Sequence, residues 1–429
     1  MSTATTYGQL LRNREFSGLF AAHTVSILGD VLTKVALSVL VYDRTDSAFM
    51  AALTFALGFV PQLLTAALAS AVVDMVPARR LMLIGDLGRM ACVLAMTVPG
   101  MPIPVLLVLV TASGALSPLF RAARQVMLPE IIGMSGYPLA RSMFSGAVQI
   151  GQIAGFGLGG ALLIVVTPRT TLFIDAATFA FSLTTVLMFV RPRPAGADTA
   201  DHGSGMVRET VRGNRSILND PVLRRLLLLQ WVPTALIVLP EGLAAPYAAE
   251  WGGGPGSVGL LLACPAVGTV IGEAVVARFL GPEERCRRVP ALIVLAGAPL
   301  LLFAFGPSPP VALALLFVSG AGTAFALPLD QLYVERVADR LRGRAMTLTG
   351  AGSIAAQGIG LAAGGLMADW MPLRWVFASA GTAALLTAAL IGRHRPWRVT
   401  PHKSPRADPE ATEAVDNPAA RPSARSTEG

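Results

Sequence analysis

Long apolar runs, broken at short intervals by Pro, Gly and Arg, set the pattern of this chain from residue 16 to residue 391. A helix crosses about 30 Å of hydrocarbon with roughly 20 apolar residues. Twelve runs approach or exceed that length: 16–42, 48–73, 81–98, 101–127, 140–167, 170–190, 224–249, 255–279, 289–306, 309–334, 344–369 and 372–391. The pattern predicts an all-α membrane protein of twelve transmembrane helices in two pseudo-symmetric six-helix bundles. The longest interruption separates six spans from six. The expected organisation is therefore an N-terminal bundle over 1–190, a cytoplasmic linker over 191–223, a C-terminal bundle over 224–392 and a disordered cytoplasmic tail over 393–429. The linker opens with a stretch that is flexible by composition and closes with RETVRGNRSILNDP, which suits a short surface helix ending at Pro221.

The two sets of six repeat. A shift of 205 residues lays Gln152 on Gln357, Gly155 on Gly360, and Gly159 and Gly160 on Gly364 and Gly365. Parallel repeats of this kind build two-bundle secondary transporters, with substrate held between the bundles near mid-membrane. Gly151, Gly155, Gly159 and Gly160 in span five, and Gly360 and Gly364 in span eleven, are expected to let helix backbones approach closely. That is how helices associate where no hydrophobic effect drives them together. They lie inside apolar helices with no strand before them, which excludes a dinucleotide-binding loop.

Composition places the chain in lipid: of its 429 residues 53% are hydrophobic and only 14% charged, and the mean hydropathy is +0.61. A net charge of +8 and a pI near 10.1 would suggest nucleic acid until the basic residues are located. With the N-terminus inside, 29 of the 34 Lys and Arg fall on inner segments and the tail, and only Arg44, Arg169 and Arg374 on outer loops. This is the asymmetry of a cell-membrane protein with both termini cytoplasmic, and it removes the argument for nucleic acid. Cys92, Cys264 and Cys286 lack metal-ligand spacing and read as small packing residues. No metal or cofactor is expected, and no nucleophile and base converge in one loop, so the chain reads as non-enzymatic.

Function is expected where polar side chains interrupt the apolar runs, since a carboxylate at the centre of a span costs about 2.5–3.5 kcal/mol on an insertion scale. His23, Asp30 and Lys34, spaced by seven and four, share one face of span one. Asp30 and Lys34 can neutralise each other as a structural pair, or Asp30 can change partner and proton as a cavity alternates; both readings stand. Glu241, in a seventh span interrupted by Pro233, Pro240 and Pro246, is the second candidate for a cavity carboxylate. Gln149, Gln152, Trp231 and Gln357 are expected to line the same cavity. Asp86 and Arg89, three apart, are expected to pair. Arg121 and Arg124 are expected to dock on Asp74, Asp86 or Glu130, or to snorkel to lipid phosphates.

The segment SILGDVLTKVALSVLVYDRTDS, the six-plus-six layout and the loop after span two resemble the major facilitator superfamily. Within it they resemble the drug:proton antiporter branch that includes macrolide-efflux and enterobactin-exporter-like proteins. The superfamily's signature loop reads roughly G-x-L-a-D-r-x-G-r-r; the stretch from Ser70 to Arg80 keeps Asp74, Arg79 and Arg80 and replaces both glycines. The resemblance implies that these three form a cytoplasmic gate. It further implies proton-coupled efflux of a small apolar or amphiphilic compound, of drug, macrolide or siderophore type, by alternating access. The protein would be a monomer whose partners are the substrate, protons and the lipid bilayer. Uptake or exchange of a nutrient or lipid metabolite, and a non-transporting sensor of the same fold, are the alternatives the residues leave open.

Overall fold

Local capping and helix breakers decide where each apolar run becomes a rod. A computed structural model describes residues 6–193, 215–337 and 342–393, without the side chains of 60, 63–74, 343, 344 and 392. Helix α1 (Arg14–Thr45) starts where the Asn13 side chain accepts from the backbone N–H of Glu15 and Phe16, at 3.0 and 3.3 Å. Helices α2 (Ala48–Met75) and α3 (Ala78–Met96) follow. A 63-residue run, Ile103–Val165, is then divided at Gly133, whose φ of 70° suits glycine and few other residues. Its halves, 103–132 and 134–165, are α4 and α5, and α6 is Pro168–Phe189.

In the second half α7 runs in three pieces, Pro221–Ile237, Leu239–Gly242 and Ala244–Glu250, with Pro240 and Pro246 in the last two. The remaining rods are α8 (Pro255–Phe279), α9 (Pro282–Leu301), α10 (Pro309–Gly322, resumed as Ala326–Arg336), α11 (Arg342–Ala368) and α12 (Leu373–Gly392). No strand occurs among the described residues, and nine of the described helices are long and apolar enough to cross a membrane. The 63-residue helix supplies two rods, and α2 and α3 complete the twelve; α3 is the less apolar one because it carries Arg79, Arg80, Asp86 and Arg89.

Two boundaries differ from expectation. Residues 128–139, expected as a loop, are helical on both sides of Gly133: Pro129 and Pro138 both keep helical backbone, and only Gly133 leaves it. Helix α9 begins at Pro282 rather than 289, because a proline at the first position and Glu283 and Glu284 in the first turn start it well. Of the expected linker, 215–219 is helical with Ile217 buried; 194–214 and the tail from 394 lie outside the described residues.

The packing repeats as the sequence does. Helix α1 lies on α5 and α6, α2 on α4, and α3 on α6; correspondingly α7 lies on α11 and α12, α8 on α10, and α9 on α12. The main contacts between the halves are α2 with α11 and α5 with α8, with smaller ones from α7 to α1 and α2 and from α8 to α1. Gly151, Gly155 and Gly159 face Ile27, Val31 and Val35 of α1, while Gly360 and Gly364 face Ala235 and Leu239 of α7. Gly160 meets Gly259 of α8 backbone to backbone, where a Cβ would stand 2.5 Å from the Gly259 Cα. Large apolar side chains such as Ile150, Leu158, Phe173, Val275 and Ile359 stand exposed on the outside, the surface a bilayer requires.

Candidate functional site

The polar stripe of α1 opens on a cavity of about 430 Å³ walled by α1 to α5. Asp30 stands in the wall with about a third of its side chain exposed (32%), in an ion pair with Arg89 of α3. Arg89 is buried, and its guanidinium lies 4.5 Å from the Phe179 ring of α6. One turn before Phe179, Asp175 is fully buried and accepts from Thr33 Oγ1 at 2.6 Å and Thr178 Oγ1 at 3.0 Å. Almost one turn after it, Ser182 Oγ donates to Asp86 Oδ2 at 2.6 Å. A Cβ on Gly29 would strike Asp175 and Thr178, so the bare backbone there is what admits the carboxylate between α1 and α6. One guanidinium thus stands among three carboxylates; hydroxyls donate to both oxygens of Asp175 and to one of Asp86, whose Oδ1 is buried without a partner among the described residues.

Two expected pairings are replaced. Asp30 pairs with Arg89 and not with Lys34, and Asp86 bonds Ser182 and not Arg89. Helical neighbours three or four apart can meet only along their own surface, whereas the long forked guanidinium crosses to α1 and takes the carboxylate that opens on the cavity. Lys34 instead turns toward α2, its Nζ 5.0 Å from the centre of the Phe59 ring. It lies within Coulombic reach of Glu241, which sits at the break of α7 in the opposite half. Asp175 is the functional candidate that sequence reasoning missed; its signal was a carboxylate well inside the apolar run 170–190.

Of the four further cavity candidates only Gln152 lines it. Gln149 reaches Glu273 of α8, the Trp231 indole N–H donates to the Thr349 carbonyl of α11 at 3.1 Å, and Gln357 Nε2 donates to its own helix at the Ser353 carbonyl at 3.2 Å. Polar groups in a span need a partner, and a backbone carbonyl or a neighbouring helix serves without any cavity. At the expected gate, Arg79 Nη2 donates to the Leu187 carbonyl of α6 at 2.7 Å and Arg80 is exposed, while the Asp74 side chain lies outside the described residues. Glu130 pairs with Arg193 at 3.4 Å and not with Arg121 or Arg124; Arg193 also holds both oxygens of Glu15, at 2.5 and 3.0 Å.

A family model described as transmembrane secretion effector matches residues 5–419. The chain belongs to that family. It lies within the major facilitator superfamily, and the resemblance to its drug-efflux branch holds in the relatives. The multidrug efflux pump Tap of Mycolicibacterium fortuitum is 29% identical over 382 residues, covering 86% of this chain and 92% of that protein. Tap of Mycobacterium tuberculosis (strain ATCC 25618 / H37Rv) is 28% identical over 385 residues, covering 85% and 90%. Among solved structures, the nucleoside transporter NupG superposes with a TM-score of 0.68 at 13% identity over 89% of this chain and all of that one (100%). A POT family transporter in complex with 5-aminolevulinic acid gives 0.73 at 10% identity, over 92% and 98%. At such identities the structural likeness speaks for the fold. The protein is an integral membrane transporter and not an enzyme.

Proposed function

We propose that this transporter exports small apolar or amphiphilic compounds across the cell membrane in exchange for protons, by alternating access between its two halves. Export is the direction named for the Tap relatives. The observation that carries the coupling is Asp30, a carboxylate open to the cavity and paired with a buried guanidinium. Protonating Asp30 frees Arg89 to turn to Asp86 or Asp175, so that one proton changes a contact between α1, α3 and α6. Lys34 and Glu241 extend the same seam to the second half. Asp74, Arg79 and Arg80 are assigned to the cytoplasmic gate, and both termini to the cytoplasm. The bundles 1–190 and 224–392 are the moving bodies of a monomer. One proton entering across about 100 mV supplies roughly 2.3 kcal/mol, enough for about a fortyfold gradient of a neutral compound.

The test is accumulation of a drug panel in everted vesicles under an imposed pH gradient. Wild-type protein is expected to accumulate substrate, and Asp30→Asn to lose all proton-driven accumulation while keeping its melting temperature. Undiminished accumulation in the Asn variant would remove Asp30 from coupling.

A further inference from the structure

The coupling seam leaves unused one part of the cavity that is chemically distinctive. Arg121 and Arg124 of α4 stand three residues apart and both line the cavity. Among the described residues Arg121 Nη2 donates only to a neutral amide oxygen, Gln62 Oε1, at 3.2 Å. The Arg124 guanidinium lies 4.4 Å from the Phe144 ring, and its Nη1 is buried with no hydrogen-bond partner among the described residues. His23 Nε2 beside them is likewise buried and unpartnered, its ring stacked on Phe120 at 6.2 Å. The one carboxylate among the described residues lining the cavity, Asp30, is already taken by Arg89. The expected docking partner Asp74 lies twelve residues beyond Gln62, about 18 Å of helix rise away.

Arg124 has given up water at Nη1 without gaining a partner there, and the Arg121 guanidinium, exposed to the cavity, adds a like charge three residues away; proteins ordinarily offset such a pair with an anion. We propose that the cavity binds an amphiphilic anion, its carboxylate or phosphate head held by Arg121 and Arg124 and its apolar body laid against Ile27, Phe55, Val110 and Phe120. The guanidinium fork matches both oxyanion heads, and a cavity of about 430 Å³ is the size of a small-ligand site. The proposal specifies the substrate class of the efflux reading and rests on that reading only for the ligand's being transported; binding is tested separately. An anionic lipid headgroup shares this chemistry with a free organic anion.

The experiment measures binding to the purified full-length protein in detergent by calorimetry, with three probes of one shape: 1-naphthoate, 1-naphthalenemethanol and 1-naphthylmethylammonium. The anion is expected to bind at least about tenfold more tightly than either isostere, and Arg124→Gln to weaken it by about tenfold with Arg124→Lys intermediate. Gln62→Glu sets a carboxylate beside Arg121 while keeping both arginines, and is expected to weaken the anion similarly; it serves as the second variant if Arg124→Gln unfolds. Displacement of naphthoate by added phosphatidylglycerol assigns the site to a lipid head, and indifference to that lipid assigns it to a free anion. Preference for the cation, no naphthoate binding, or naphthoate affinity unchanged in both Arg124→Gln and Gln62→Glu overturns the proposal. Proton-driven drug accumulation with no anion binding would sink this inference and leave the efflux reading standing; anion binding without proton-linked flux would do the reverse.

Discussion

At the scale of single residues, Arg89 is the group on which the buried charges depend. It is the guanidinium facing Asp30, Asp86 and Asp175, so removing it leaves the buried Asp86 and Asp175 uncompensated as well as Asp30, at a cost of about 3–5 kcal/mol, whereas neutralising Asp30 leaves Arg89 the other two. Arg89→Gln is therefore expected to lower the thermal unfolding temperature in detergent sharply. Asp30→Asn with Arg89→Gln should lose less than Arg89→Gln alone, because one of the orphaned carboxylates is then gone. Equal losses in the single and double variants would mean that the pair does not act through its charges. Asp30 was legible in the sequence because a carboxylate in mid-span is costly and calls for a partner or a cavity. Its partner was not, since Lys34 and Asp86 supplied local pairings of suitable spacing, and only the crossing of α1, α3 and α6 shows which cation reaches which anion. Asp175 illustrates the same limit: its satisfaction by Thr33 requires knowing that α6 lies on α1 at Gly29.

At the scale of helices, the glycines of α5 and α11 pack against the first helix of their own halves and meet different atoms. A Cβ on Gly360 would fall on the backbone carbonyl of Ala235, which cannot move without moving α7. A Cβ on Gly151 would stand 2.7 Å from Ile27 Cγ2, a methyl at the end of a side chain that can turn away. Alanine also gains up to about 1 kcal/mol of helix propensity over glycine. Gly151→Ala is thus expected to melt close to wild type, and Gly360→Ala to lose about 1–3 kcal/mol through overpacking, as read by thermal unfolding of the two proteins side by side. Indistinguishable melting would show that α7 and α11 are free to separate. The rods themselves were legible almost to the residue where breakers are sharp: α8 is 255–279 in both readings, because Gly252 to Gly254 end one helix and Pro255 starts the next. The start of α5 was not, because prolines at 129 and 138 look like a loop when only Gly133 bends the chain.

At the scale of the molecule, the repeat places an acidic and a basic group in opposite halves across the centre: Lys34 on α1 and Glu241 at the break of its counterpart α7. Each feels the other's charge, and Lys34, its Nζ over the Phe59 ring, also feels Asp30 one turn before it. A rigid-body rocking of one half against the other changes this separation more than any separation within a half, so the pair is suited to bias one state of the cycle. Lys34→Glu would set a third carboxylate near Asp30 and Glu241, and is expected to reduce transport in everted vesicles by about tenfold or more, a coupling of about 1.4 kcal/mol. Glu241→Lys would leave two cations facing each other and should lose a similar amount. Combining the two reversals restores opposite charges with the ends exchanged, and transport is expected to recover most of that loss although Asp30 then faces a new neighbour. Additive losses in the double variant would instead place the two groups in separate tasks, Lys34 within the first half and Glu241 within the second, and the bias between states would have to come from the packing contacts between the halves, chiefly α2–α11 and α5–α8.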